Sequence, residues 1–411
     1  MTIDNKIQAG NTQTFKDDCI FPPVGDLEIR WRAVQKYLLE AGGDACLIAT
    51  HVNIYYLTGM VFTGFVYFSV EGYPLYFVQR SFGCEGAQIV AIRKPEDIPG
   101  LLKARNIPLP KNLFLEADQI SHSEFLRLEA AFNPEKTGNA TAILKKARMI
   151  KTPWEIGQFR ISAAKHAEAY RTIPSLFKEG MRDIDFQTEI ERQMRKHGSI
   201  GIFRTFGGNM DIFMGSLLTG DNAGMPSPYD FALGGGGMHP CLPIGATGEV
   251  IKKGNSVMVD MAGNFTAYMS DMTRVFSFGK LSEKALDAHK LSMEMHDRLM
   301  AEGKEGTACA DIYKWSLAMA EKAGFGENFM GIKQQAKFVG HGVGIEINEL
   351  PVLMERSKDL LQSGCVFAFE PKFVLPGTGA VGNENTYLVT ETGIEKMTVL
   401  TEEIILLLDA V

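Results

Sequence analysis

The chain has no CxxC pair, no basic cluster, no apolar run long enough to cross a membrane and little cysteine for its length. Each absence removes a class of function. Cys19, Cys46, Cys84, Cys241, Cys309 and Cys365 are scattered over 411 residues, which fits reduced thiols better than a disulfide framework. A formal charge of −7 without any Lys/Arg patch disfavours a nucleic-acid partner. Without a stretch of about 20 apolar residues, no membrane partner is expected either. The opening MTIDNKIQAGNTQTFKDD is polar and lacks an apolar h-region, so no signal peptide is expected and the cytoplasm is the expected compartment. What remains is ordinary globular composition, and 411 residues allow two domains, each with its own core.

The stretch Ser256–Phe276, SVMVDMAGNFTAYMSDMTRVF, reads as a β-hairpin. Asp260 ends an apolar run, Gly263-Asn264 supply turn chemistry, and Asp271 lies in a second extended run. A carboxylate among apolar neighbours must find a cation, a donor or a proton. Two of them facing each other in a sheet repel unless a positive charge lies between, and a divalent metal supplies one. The plain alternative is a pair of solvated turn aspartates. Three later residues tilt the balance: His341 between two glycines in FVGHGVGIEINELP, Glu370 at the end of CVFAFEP, and Glu384 in AVGNENTYLVT. Asp, Asp, His, Glu, Glu is a hard, oxygen-dominated donor set with one imidazole, suited to Mn, Co, Fe or Zn in a two-ion site.

In order and local wording (VD, SDMTR, GHGVGIE, FEP, ENT) this set resembles that of the pita-bread metallopeptidases, the family of methionine aminopeptidase, aminopeptidase P, prolidase and creatinase. The N-terminal part is similar to the non-catalytic domain of the creatinase, prolidase and aminopeptidase P branch. A helix is expected over Leu27–Ala41, strands over Ala45–Ala49, Tyr67–Val70 and Leu75–Val78, and a loop over His51–Gly59 holding N-I-x-Y-L-T-G. The resemblance therefore implies an α+β chain: a tail over 1–24, a creatinase-like α/β domain over 25–147, and over 148–411 a pita-bread domain, a curved antiparallel sheet covered by helices. Within the latter, helices are expected from Thr152 or Pro153 and over Asp183–Lys196, Leu281–Gly303 and Ala310–Ala323, with a terminal strand over Val399–Leu408. His166, His197, His289 and His296 fall on these helices and read as packing or surface residues. The glycine-rich span from Gly207 to Gly248 lacks the Lys-Ser/Thr ending of a phosphate loop and is not read as one.

The resemblance also implies roles. Asp271 and Glu384 would bridge two divalent ions, Asp260 would complete one shell, and His341 with Glu370 the other. A hydroxide shared by the ions would be the nucleophile and Glu370 its proton shuttle, while His239 would steady the oxyanion or leaving nitrogen. Thr273 would hold a carboxylate in place. The implied activity is hydrolysis of a C–N bond in an Xaa-Pro dipeptide or other short peptide, by a homodimer. Three positions depart from the proline-specific pattern: Lys337 and Asn348 stand where histidines are usual, and Gly382 where an arginine often is. A peptidase of altered specificity, another metal-dependent enzyme such as a lyase of the dimethylsulfoniopropionate type, and a non-catalytic binding protein all stay open. The last is disfavoured because no ligand is lost. Creatine hydrolysis is disfavoured because creatinase works without metal and lacks these carboxylates.

Overall fold

The structure, a computed structural model, describes residues 21–80, 86–207, 212–229 and 231–407. Most of the expected N-terminal tail, Cys19, Cys84 and Leu408 lie outside them. The chain divides into two compact units, Met1–Arg148 and Met149–Val411.

The first unit runs α1 (Val24–Glu40), β1 (Ala45–Ile48), α2 (His51–Thr58), β2 (Gly64–Ser69), β3 (Leu75–Val78), β4 (Ile89–Ala91), α3 (Ile98–Ala104), β5 (Asn112–Leu115), α4 (His122–Phe132), β6 (Lys136–Asn139) and α5 (Thr141–Met149). Its strands form one mixed sheet in the order β4-β3-β2-β1-β5-β6. Leu47, Phe65, Phe77, Leu113 and Leu115 from the sheet pack with Leu102 of α3 and Leu128 of α4. The expected loop over His51–Gly59 is a helix followed by its cap. The cause is a distant carboxylate: Glu116, fully buried, accepts Ala49 N–H at 2.6 Å, Thr50 N–H at 2.8 Å and Asn53 Nδ2 at 2.7 Å. It thus places an anion where a helix N-terminus favours one. Gly59 closes the helix in the left-handed region at φ 74°.

The second unit begins with α6 (Pro153–Arg171), whose Thr152 and Glu155 form a reciprocal capping box, and α7 (Asp183–Lys196). There follow β7 (Gly215–Thr219), β8 (Ser256–Gly263), β9 (Ser270–Ser277), α8 (Glu283–Glu302) and α9 (Cys309–Lys322). The chain then makes β10 (Phe338–Gly342), β11 (Glu349–Met354), β12 (Val366–Phe369), β13 (Phe373–Leu375), β14 (Gly379–Val381), β15 (Asn385–Thr390), β16 (Gly393–Lys396) and β17 (Ile405–Leu406). Helix pair and strands thus alternate twice. One sheet has the order β17-β9-β8-β7, the other β11-β10-β12-β15-β16, and β13 pairs with β14. All these pairings are antiparallel except β17 with β9. The terminal strand is shorter than expected.

The hairpin β8–β9 is buried on both faces, so its apolar residues run on without alternating. Val257, Val259, Met261, Met272 and Phe276 pack against Tyr170 of α6 and Phe186 and Ile190 of α7. Met258 on the opposite face packs with Val374 and Ala380. Side-chain period two puts Asp260, Asp271 and Thr273 on that opposite face as well. Asp260 lies directly across from Thr273, and Asp271 from Ala262, so the two acids are diagonal neighbours. The connection is also longer than a Gly-Asn turn: Gly263 already pairs with Ser270, and residues 264–269 form a loop tied at Met269 N–H to Gly344 C=O, 2.9 Å.

Glu116→Ala should remove several charge-assisted bonds at once and lower the local stability of α2 by about 3 kcal/mol. Amide exchange over His51–Thr58 should then be roughly a hundredfold faster. Unchanged exchange there would show that the carboxylate does not hold this helix.

Candidate metal centre

Five strands bring the acids and the imidazole together. Asp260 comes from β8, Asp271 from β9 and His341 from β10, while Glu370 directly follows β12 and Glu384 directly precedes β15. β10, β12 and β15 are neighbours in one sheet, and β15 is joined to β9 of the other. Thr386 Oγ1 accepts from Asp271 N–H at 2.8 Å and donates to Asp271 C=O at 2.9 Å, and Glu384 N–H reaches Thr273 C=O at 3.3 Å. The glycines flanking His341 serve strand packing. A Cβ on Gly340 would strike Ala368 C=O of β12, and one on Gly342 would strike Leu350 C=O of β11.

Donor atoms of Asp271, His341 and Glu384 all lie within 4.8 Å of one another. His341 Nε2 stands 3.9 Å from Asp271 Oδ2 and 3.5 Å from Glu370 Oε1. Its other nitrogen, Nδ1, lies 3.1 Å from Gly342 C=O, an acceptor only, so Nδ1 carries the proton. In the neutral ring the Nε2 lone pair then points at carboxylate oxygens, an arrangement that calls for a cation between them. A ligating histidine is typically oriented this way by a backbone carbonyl. The residues present therefore fit a divalent ion.

The cluster also holds a cation of its own. Lys372, fully buried, donates from Nζ to Asp260 Oδ2 at 2.8 Å, Glu370 Oε2 at 2.7 Å and Glu384 Oε2 at 2.9 Å. Burial alone would lower its pKa, but the three carboxylates outweigh burial and raise it well above the ordinary lysine value. Burial, then the neighbouring Glu384, Asp260 and Glu370 charges, push Asp271 well above the usual carboxylate range. Burial and then Glu370 push Glu384 up to about 8. Lys372 escaped the sequence reading although a signal was present. A lysine in the apolar FEPKFV is as conspicuous as the glutamate two residues before it.

Comparison with known proteins places this arrangement. The model of metallopeptidase family M24 matches residues 157–391, and that of the creatinase/prolidase N-terminal domain matches residues 30–150. The chain belongs to metallopeptidase family M24. A putative dipeptidase, YkvY, of Bacillus subtilis is 26% identical over 92% of this chain and 99% of its own length. An Xaa-Pro dipeptidase of Pyrococcus furiosus is 24% identical over 92% and 99%. Among solved structures, an Xaa-Pro dipeptidase from Bacillus anthracis superposes with a TM-score of 0.77, at 23% identity over 93% of this chain and 100% of that one. A prolidase from Pyrococcus horikoshii gives 0.75, at 20% identity over 92% and 99%. The expected fold, an M24 catalytic domain behind a creatinase-type N-terminal domain, is the one observed.

The M24 centre is held by a layer of buried groups. Thr273 Oγ1 donates to Glu384 Oε2 at 2.7 Å. The fully buried Arg274 donates to Thr273 C=O, to Glu384 C=O at 2.9 Å and to Asn385 Oδ1 at 2.8 Å. From α8, His289 accepts Gly382 N–H, Ser292 accepts Asn383 N–H, and His296 lies 3.1 Å from Asn383 C=O and 2.7 Å from Tyr387 Oη. Neither histidine faces solvent. Both buttress the turn that delivers Glu384, and burial pushes the His296 ring down to about 4, so it stays neutral. His166 is likewise buried, against Ser270, whereas His197 is half-buried and bonds within its own helix.

The remaining expected residues lie elsewhere. His239 is exposed in a tight turn, its Nδ1 accepting Cys241 N–H at 3.1 Å. Among the described residues, no hydrogen bond of His239 reaches the carboxylates. Asn348 is exposed and accepts Phe206 N–H at 3.1 Å. Lys337 is exposed and lines a cavity of about 460 Å³ with Met225, Tyr229, Phe231, Phe338 and Met354. Phe338 in turn packs edge-on against His341. Gly382 sits at φ 114° with Pro371 C=O where a Cβ would go, so this backbone leaves no room for an arginine there.

Arg274→Lys keeps the charge but cannot span three acceptors on two strands. Metal affinity should fall about 10–100-fold, as for other groups that orient ligands. Equilibrium dialysis against Mn(II) measures it, and an unchanged affinity would reduce Arg274 to a filler of space.

Proposed function

We propose that the chain is a metal-dependent peptidase acting on short peptides, of the Xaa-Pro dipeptidase or aminopeptidase type, with an altered substrate pocket. The observation that carries this is the convergence of Asp271 and Glu370 on Nε2 of His341, with donor atoms of Asp271, His341 and Glu384 all within 4.8 Å of one another. The names of the relatives, dipeptidase and Xaa-Pro dipeptidase, support it.

Asp271, His341, Glu370 and Glu384 would hold a divalent ion, Mn, Co, Zn or Fe. When bound, such an ion polarises the scissile carbonyl and makes water acidic enough to attack near neutral pH. The chain's own groups handle the protons. Hydrolysis adds water across the C–N bond, so one proton must travel from the water to the departing amine. Glu370, buried beside His341 Nε2, accepts it and hands it on. His239 supplies a donor: with Nδ1 accepting from Cys241, the proton of the neutral ring sits on Nε2, free to meet a developing oxyanion or the leaving nitrogen. His239→Ala should lower kcat by about 10²–10⁴-fold while bound metal stays constant. An unchanged kcat would return His239 to a solvent-loop role.

The pocket sets the substrate preference. Lys337 brings an ammonium group to the cavity rim, and Asn348, whose Oδ1 accepts Phe206 N–H, offers an amide that does not titrate. Xaa-Pro cleavage should therefore be weak, with better turnover of acidic or non-proline substrates. The test is kcat/KM for Xaa-Pro dipeptides against other dipeptides and N-acylated acids, before and after chelation, beside Asn348→His and Lys337→His. Chelation should abolish all turnover. If the parent cleaves Xaa-Pro best and both histidine variants match it, these positions do not set specificity.

A further inference from the structure

We propose that this chain binds a single divalent ion, the ammonium of Lys372 taking the place of the second. The proposal rests on the metallopeptidase reading above and narrows it.

Lys372 Nζ has three protons and three carboxylate acceptors, on Asp260, Glu370 and Glu384, all within 2.9 Å. Asp260 gives its oxygen to the ammonium, and no ion pair among the described residues joins it to His341. On the other side Asp271, Glu384 and the imidazole keep donor atoms within 4.8 Å of one another, and Glu370 turns Oε1 toward His341 while Oε2 goes to Lys372. The cluster thus divides into two cation positions that share Glu370 and Glu384. The position built around Asp260 is filled by the chain's own ammonium through hydrogen-bonded ion pairs, and the position built around His341 is the one left for an ion.

Charge points the same way. Asp260, Asp271, Glu370 and Glu384 carry four negative charges when ionised. Lys372 and one divalent ion reduce the net charge of the cluster from −4 to −1. A second divalent ion would add two positive charges within a few ångströms of a buried ammonium that has no route to solvent, since Lys372 is 0% exposed. Its backbone is pinned too, with Met330 N–H on Lys372 C=O at 2.8 Å. Because every Nζ proton is committed to a carboxylate, Lys372 is a positioning residue. It offers the substrate neither a proton nor a nucleophile.

The test counts ions on the full-length chain, stripped with chelator and dialysed against excess Mn(II), with elemental analysis for stoichiometry and electron paramagnetic resonance for coupling between ions. The wild type should hold close to one Mn(II) per chain with an isolated-ion spectrum. Lys372→Gly, which removes the ammonium and leaves space, should hold close to two with an exchange-coupled spectrum. Asp260→Asn should keep its one ion, while His341→Ala should lose it, with affinity down at least 100-fold. If Lys372→Gly does not fold, the wild type and Asp260→Asn decide the matter. Two ions in the wild type, or loss of the only ion in Asp260→Asn, would overturn the single-ion proposal and leave the metallopeptidase reading intact. No ion at all in the wild type would overturn both.

Discussion

Mutual repulsion among buried carboxylates is the constraint on which the second unit depends. Two unit charges about 4 Å apart interact by about 4 kcal/mol at the effective dielectric of a partly polar interior. Asp260, Asp271, Glu370 and Glu384 converge on Lys372 and His341, so their charges repel one another at short range. Burial first, and this repulsion after it, raise Asp271 and Glu384, a tendency to retain protons. Positive charge is therefore a condition of the fold as well as of the chemistry. Lys372 supplies part of it as soon as the chain folds, with no metal required.

Precision at such a centre has to come from neighbours that do not titrate or move. Arg274 ties Thr273 of β9 to Glu384 and Asn385, so the two sheets are held together one residue from their ligands. His289, Ser292 and His296 fix the backbone of Gly382 and Asn383 from α8, and each ring nitrogen involved has a defined partner. The glycines beside His341 let β11 and β12 close in on β10, which sets the depth of the imidazole. These groups share one logic: a ligand is placed by its main chain, and the main chain is placed by side chains buried one layer out.

How much of this could be read from residues alone depended on the range of the interaction. Helices with local caps, such as the Thr152–Glu155 box before α6, were legible to within a residue or two. The acids of the centre were legible because a carboxylate in an apolar strand is anomalous wherever it occurs. The helix over His51–Thr58 was not, since its N-terminal anion is Glu116, more than sixty residues away. The buttressing role of His289 and His296 was hidden for a similar reason. Their partners come from the segment around Gly382 and Asn383 and from Tyr387 and Glu402, and helical spacing alone leaves both rings as packing or surface residues. The Gly263-Asn264 turn misled because its residue types were right for a tight hairpin, whereas bonds from Ile200 to Asn264 and from Met269 to Gly344 favour a longer loop.

An ammonium and a divalent ion are not equivalent occupants of a cation position. Both offset carboxylate charge and both hold several oxygens in a fixed arrangement. Only the metal accepts electron pairs from water or a carbonyl, so only it can acidify the one and polarise the other. In the single-ion centre proposed above, with Lys372 beside Asp260, the Lewis-acid work would fall on the side of His341, and the stabilisation of departing or developing charge would fall on protein donors. Under that proposal a proton donor from the protein, the part proposed for His239, would matter more than in a centre with two metals. Under the same proposal Asp260 is a partner of Lys372, and the ammonium they share with Glu370 and Glu384 would keep those two aligned from behind.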